Sequence, residues 1–224
     1  MIESFVFRHL AKTATLGLDS TAFPEAMAAN RNPLTLSPRR VMEILMEHGE
    51  DPCTRPQAAA HEAGHWVVGD TLGLSPYRFL RVFKKSRRWL GENQAVDGSS
   101  AHVVHEVGRY KKHTLQVIGG YAGELATGFC HPASSLDERV LFLEMCRSLT
   151  VFHGGDAKAL HDAGQKVVLE IIAARKQDFD RVRRHLERHP RMLRGQLAHL
   201  SQPDPTPWLA RWEKLATLIN RNER

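Results

Sequence analysis

Residues 58–70 read A-A-A-H-E-A-G-H-W-V-V-G-D and contain the spacing H-E-x-x-H at His61, Glu62 and His65. Residues four apart on a helix lie on one face, one turn apart, so the two imidazoles can bind one tetrahedral zinc ion. Glu62 stands beside them and suits a general base that takes a proton from water on the metal. Such a site needs a third protein ligand and an open position for water. Glu124, His131, His153, His161 and Asp156 all carry a suitable atom. Asp156 follows two glycines and precedes A-K-A-L, a placement that also suits a helix N-cap.

The elements around these residues follow from local pattern. A helix is expected over residues 56–72, stopped by Gly73. Ala58, Ala59, Ala60, Ala63 and Gly64 would let a neighbour approach that helix closely, and Val67, Val68 and Leu72 give it an apolar side. Glycine inside a helix costs about 1 kcal/mol, so Gly64 implies a packing reason. Residues 77–83, Y-R-F-L-R-V-F, alternate as a strand does. The Gly-containing stretch after them could hold further short strands, and residues 90–96 an edge strand that aligns an extended peptide by strand addition. Helices are expected over 110–127, 135–149, from 156 to about 175 and on to His189, and over 207–220. The last carries Trp208, Trp212, Leu215 and Leu218 at helical spacing, which reads as packing. Residues 1–50 read as an N-terminal extension with one helix over 38–49, and residues 51–224 as the main domain. The fold class expected is mainly α with a small β-sheet.

Composition narrows the classes. The chain has 224 residues, 42% hydrophobic and 25% charged, which excludes wholesale disorder. No apolar run approaches the length of a membrane span, and the first 25 residues lack the pattern of a secretion signal. The expectation is a soluble, cytoplasmic chain. Three cysteines are too few for a disulfide framework. The net charge of +6 is concentrated in residues 173–224, where twelve Lys and Arg meet six Asp and Glu. The acids are interleaved and no nucleic-acid motif accompanies them, so a solvated helical face is the simpler reading and nucleic acid is not expected as a partner. His185 and His189, four apart before Pro190, fit a basic last helical turn. His102 and His105, three apart, would face opposite sides of a strand.

H-E-A-G-H followed by W-V-V-G resembles the H-E-A-G-H-A-V-V segment of the peptidase domain of FtsH-type ATP-dependent zinc metalloproteases. G-G-Y-A-G-E-L-A-T-G, residues 119–128, resembles the family's G-G-R-x-A-E-E-x-x-F-G helix. G-G-D-A-K-A-L, residues 154–160, resembles the family's G-A-x-x-D-x-x-x-A segment. Together these cover residues 56–172, about half the chain. The resemblance implies an FtsH-like zinc peptidase domain, with His61, His65 and Asp156 as zinc ligands and Glu62 as catalytic base. It implies hydrolysis of peptide bonds in unfolded or flexible polypeptide.

Three departures qualify the match. No G-x-x-x-x-G-K-[ST] occurs, so any unfolding of substrate would be borrowed from an ATPase partner in trans. The family's membrane helices have no counterpart. About 25 residues separate the G-E-L-A-T-G segment from Gly154, including S-L-D-E-R-V-L-F-L-E-M-C, where the family has a short connection. Beside the peptidase stand two alternatives: a catalytically silent zinc-stabilised binding or regulatory protein, and a nucleic-acid-binding protein using the basic C-terminal region.

Overall fold

The computed structural model describes residues 53–74, 77–86, 88–95, 107–129 and 135–222. The expected N-terminal extension with its helix over 38–49, and His102, His105, Cys130 and His131, lie outside the described residues. Those described form eight helices and three strands: α1 (Arg55–Thr71), β1 (Tyr77–Lys85), β2 (Arg88–Ala95), α2 (Val107–Val117), α3 (Gly119–Ala126), α4 (Leu136–His153), α5 (Ala157–Ala174), α6 (Lys176–Arg188), β3 (Arg191–Leu193), α7 (Arg194–Ala198) and α8 (Pro205–Asn222). The protein is mainly helical with one small antiparallel sheet in the order β2-β1-β3.

The H-E-x-x-H helix is the centre of the fold. Thr54 caps α1, its hydroxyl accepting from the Gln57 N–H at 3.3 Å, and Pro56 occupies the first turn, where a missing N–H costs nothing. Almost every residue from Gln57 to Thr71 is buried, as a helix hydrophobic or small on most sides must be. It packs against α3, α6 and both strands of the hairpin. The approach of α3 explains the glycines. A methyl at Gly64 would overlap the Gly119 carbonyl and lie 3.0 Å from the Gly123 Cα, and one at Gly123 would overlap the Ala60 carbonyl. The helix-weakening Gly64 is therefore a crossing point between two backbones.

β1 and β2 form a hairpin with Phe83 opposite Leu90, Val82 opposite Gly91 and Leu80 opposite Asn93. Leu80 and Val82 point inward and are fully buried. Gly91 and Asn93 share that face, so β2 lies across α1 with its inner side toward Glu62. β3 pairs Met192 with Leu80 on the other edge of β1. Three residues of strand leave almost no pattern in a sequence, so β3 has no sequence signal.

Two further differences are local. The single helix expected over 110–127 is two, broken at Ile118 (φ −85°, ψ 0°). The break lets α3 bring Gly119 and Gly123 against α1. The helix expected to end at 149 runs on to His153, where Gly154 at φ 71° stops it.

Arg175, between α5 and α6, ties the C-terminal third to α1. Its guanidinium donates to Asp70 Oδ2 at 2.6 Å and to the Leu200 carbonyl at 2.7 Å, and it covers the Trp66 ring. Asp70 also accepts from the Ser201 hydroxyl and the Gln202 N–H. The basic excess here is in part paired: Lys176 with Asp180, and Arg183 with Asp180 and Glu187. Trp212 is buried and donates to the Leu160 carbonyl, so it packs as expected, whereas Leu218 is exposed. His185 Nε2 lies 3.0 Å from the Arg191 carbonyl, a local structural contact. No helix among the described residues is long and apolar enough to cross a membrane.

Candidate functional site

His61 and His65 project from the same face of α1, as their spacing requires. Their Nε2 atoms face each other at 3.1 Å. Glu138, from the first turn of α4, brings Oε1 to 2.8 Å from His65 Nε2 and 3.1 Å from His61 Nε2. His61, His65 and Glu138 form the one group of metal-binding side chains found among the described residues. Edges of 2.8 to 3.1 Å are close to the ~3.3 Å between ligand atoms of a tetrahedron with zinc–nitrogen bonds of about 2.05 Å.

The outer nitrogens fix the inner ones. His65 Nδ1 lies 3.0 Å from the Gln116 carbonyl, which can only accept, so Nδ1 carries the proton and Nε2 presents a lone pair. His61 Nδ1 lies 2.8 Å from Glu124 Oε1, and a carboxylate there selects the same tautomer. With both rings neutral, two imine nitrogens and a carboxylate oxygen converge, an arrangement that a cation between them would stabilise. Glu138 Oε2 is buried with no hydrogen-bond partner among the described residues, so protein groups alone do not satisfy the carboxylate. The donor set of two imidazoles and one carboxylate suits zinc. The group can hold a metal ion.

Without metal, a proton plays the cation's part. Burial pushes His61 and His65 down, but the carboxylates around them together reverse it: Glu138 and Glu124 hold His61 well above the usual histidine range, and Glu138 with Glu62 holds His65 above it. Burial likewise pushes Glu138 up, and the two histidines reverse it, leaving the carboxyl well below the usual range.

Gly120 closes the floor of the site. A methyl there would lie 2.5 Å from His61 Nε2 and 2.6 Å from His65 Nε2. Glu62, one residue after His61, leaves α1 toward β2 and is almost fully buried, at 2% exposure. Asn93 Nδ2 donates to its Oε2 at 3.0 Å, and Gly91 leaves room for its carboxyl, which a methyl would approach to 2.6 Å at Cδ. Burial raises the Glu62 carboxyl against the lowering pull of both histidines and Asn93. A carboxyl raised in this way is the kind that serves as a base near neutral pH.

The expected third ligand, Asp156, is elsewhere. It caps α5, accepting from the Lys158 and Ala159 N–H groups at 2.6 and 3.2 Å, and lines a groove with Trp212 and Glu213 between α5 and α8. Its two glycines, Gly154 and Gly155 at positive φ, turn the chain into that cap, and the capping alternative describes what it does. Glu124 is close but sits behind His61, on the outer nitrogen, where it also accepts from Gln57 Nε2 and the Ser135 hydroxyl. His161 is buried between α4 and α5 against Phe142, away from the pair. Glu138 lies in the first turn of the helix expected over 135–149, where an acidic residue looks like an ordinary helix start. The signal that could have found it is its place in the segment that lengthens the connection to Gly154. Gln116 and Asn93 gave no sequence signal at all.

Comparison with known protein families finds none that matches this chain, and comparison with curated proteins finds none either.

Proposed function

We propose that this chain is a zinc-dependent metallopeptidase that hydrolyses peptide bonds of unfolded or flexible polypeptides, with an arrangement like that of FtsH-type peptidase domains. The observation that carries this reading is the convergence of His61 Nε2, His65 Nε2 and Glu138 Oε1 beside the buried Glu62. A purely structural zinc site is closed by four protein ligands and has no use for an adjacent buried carboxylate. Here three ligands and a carboxylate stand together, as a hydrolytic site requires.

His61, His65 and Glu138 would hold the ion, with Glu124 and the Gln116 carbonyl orienting the two rings. Zinc bound there supplies a Lewis acid that acidifies water and polarises the scissile carbonyl. Asn93 holds the Glu62 carboxylate through Oε2, and that carboxylate would take the proton of the attacking water. Glu62 then returns that proton to the leaving amine nitrogen. The departure from the FtsH-type pattern is the third ligand, which comes from α4 rather than from the G-G-D segment.

The edge of β2 supports an extended substrate. The Trp89 N–H turns away from β1 to the Cys53 carbonyl. In an antiparallel pair, alternate residues point their N–H and C=O the same way, so Gly91 and Asn93 present theirs on that outer edge. A polypeptide laid there would run past Glu62 by strand addition. Only loose chain can do so, which implies substrates already unfolded or delivered by an ATPase in trans.

The test is cleavage of denatured, fluorescently labelled casein by the zinc-loaded protein and by Glu62→Gln. The wild type should cleave. Glu62→Gln should keep its zinc and lose about 10²–10⁴-fold in rate, the usual contribution of a general base. Equal cleavage by both proteins, or zinc binding without cleavage of any loose polypeptide, would overturn the peptidase reading.

A further inference from the structure

α4 begins in an unusual way. Ser135, the residue before its first turn, has φ 50° and ψ 28°, the left-handed region that non-glycine residues seldom adopt. Its carbonyl starts the helix, accepting from the Arg139 N–H at 3.0 Å. A serine in this place ordinarily caps the helix with its hydroxyl, yet this side chain makes no capping bond. The hydroxyl instead donates to Glu124 Oε1 at 2.7 Å and lies 3.2 Å from His61 Nδ1.

Ser135 and Glu138 are three apart, so both face the same side at the start of α4. They meet one imidazole from its two ends: Ser135 at His61 Nδ1, and Glu138 at His61 Nε2. The strained turn, the forgone cap and the placement of Glu138 have one explanation. We propose that Ser135 is a positioning residue for the metal, pinning the first turn of α4 to the Glu124–His61 pair so that Glu138 reaches the two histidines as third ligand. The inference rests on the metal site proposed above and adds how that site is assembled. Two ligands are built into α1, and the third is delivered by a helix whose entry is fastened to the back of the first.

The test compares zinc affinity, measured by competition with a chromophoric chelator, in the wild type, Ser135→Ala and Ser135→Gly. Thermal unfolding of each metal-free protein is followed alongside. Both variants remove the hydroxyl, but glycine also relieves the left-handed backbone. Loss of an outer-shell partner typically weakens metal binding about 10–100-fold, and both variants should fall in that range. The metal-free Ser135→Gly protein should unfold no earlier than Ser135→Ala. A structural role alone would lower both melting temperatures and leave affinity at temperatures where the proteins are folded unchanged.

A double-mutant cycle tests the route through Glu138. In Glu138→Ala, where only the weak zinc binding of His61 and His65 remains, the further change Ser135→Ala should weaken that residual affinity much less than it weakens the wild type. Affinities within twofold of wild type for both serine variants would overturn the proposal while leaving the metal site standing. So would full additivity with Glu138→Ala. A wild type that binds no zinc would overturn the metal reading, and this inference with it.

Discussion

Gly120→Ala should empty the metal site while leaving the fold intact. The new methyl would stand 2.5 Å from His61 Nε2 and 2.6 Å from His65 Nε2, whereas ordinary carbon contacts begin near 3.5 Å. The two rings must therefore retreat by roughly 1 Å, about five times the ±0.2 Å that a metal–ligand distance tolerates. Loss of a mere outer-shell partner costs about 10–100-fold, so zinc affinity here should fall by more than about 100-fold. Stability should respond differently. The obstructed atoms are ends of side chains, and alanine is favoured over glycine in a helix by about 1 kcal/mol, so the metal-free variant should unfold within about 1 kcal/mol of wild type. Gly123→Ala is the control. Its methyl would press on the Ala60 backbone carbonyl, and overpacking of that kind costs about 1–3 kcal/mol. Chelator competition reads the affinity and urea denaturation of the metal-free protein reads the stability. Wild-type zinc affinity in Gly120→Ala would refute the placement of the ligand nitrogens over α3.

Two other outcomes follow from groups away from the metal. His161 is buried with Nε2 lacking a hydrogen-bond partner among the described residues, and burial holds it below the usual histidine range despite Asp162 beside it. Below about pH 6.5 the unfolded chain takes up a proton that the folded chain refuses, so stability is lost as pH falls toward the depressed value, by at most about 1.4 kcal/mol per pH unit. Denaturation of the metal-free protein between pH 5 and 7.5 should show a shallower acid loss in His161→Leu; parallel curves would contradict it. Arg175→Ala leaves Asp70 and the Leu200 carbonyl without their cation, and breaking such a pair typically costs about 3–5 kcal/mol. Urea denaturation should show a loss toward the lower end of that range, because the pair is not fully buried, and a loss under 1 kcal/mol would count against Arg175 as the tie between α1 and the C-terminal third.

Much of the frame was legible because its determinants are local. Gly73 stops α1, whose ends at Arg55 and Thr71 fall within a residue of those expected, and the alternation of residues 77–83 marks β1. His61 and His65 need only the helical period to come together. What was not legible depends on distance. Glu138 meets the histidines across more than seventy residues, and nothing in S-S-L-D-E-R distinguishes a ligand from an acidic first turn. Asp156 shows the converse: G-G-D resembles a family's ligand segment, the same residues also satisfy a helix cap, and the cap is where the structure places them. The break at Ile118 is decided by how closely two backbones can approach, which periodicity within one helix does not register. Gly64 and Gly123 carried that information, but only as a pair from two different elements.

The central claim is that His61, His65 and Glu138 together hold one zinc ion. Elemental analysis of the purified, zinc-supplied protein beside Glu138→Ala and Asp156→Ala tests it most directly. The account predicts about one zinc per chain in the wild type, retention in Asp156→Ala and loss in Glu138→Ala. No zinc in the wild type, or zinc kept by Glu138→Ala and lost by Asp156→Ala, would contradict it.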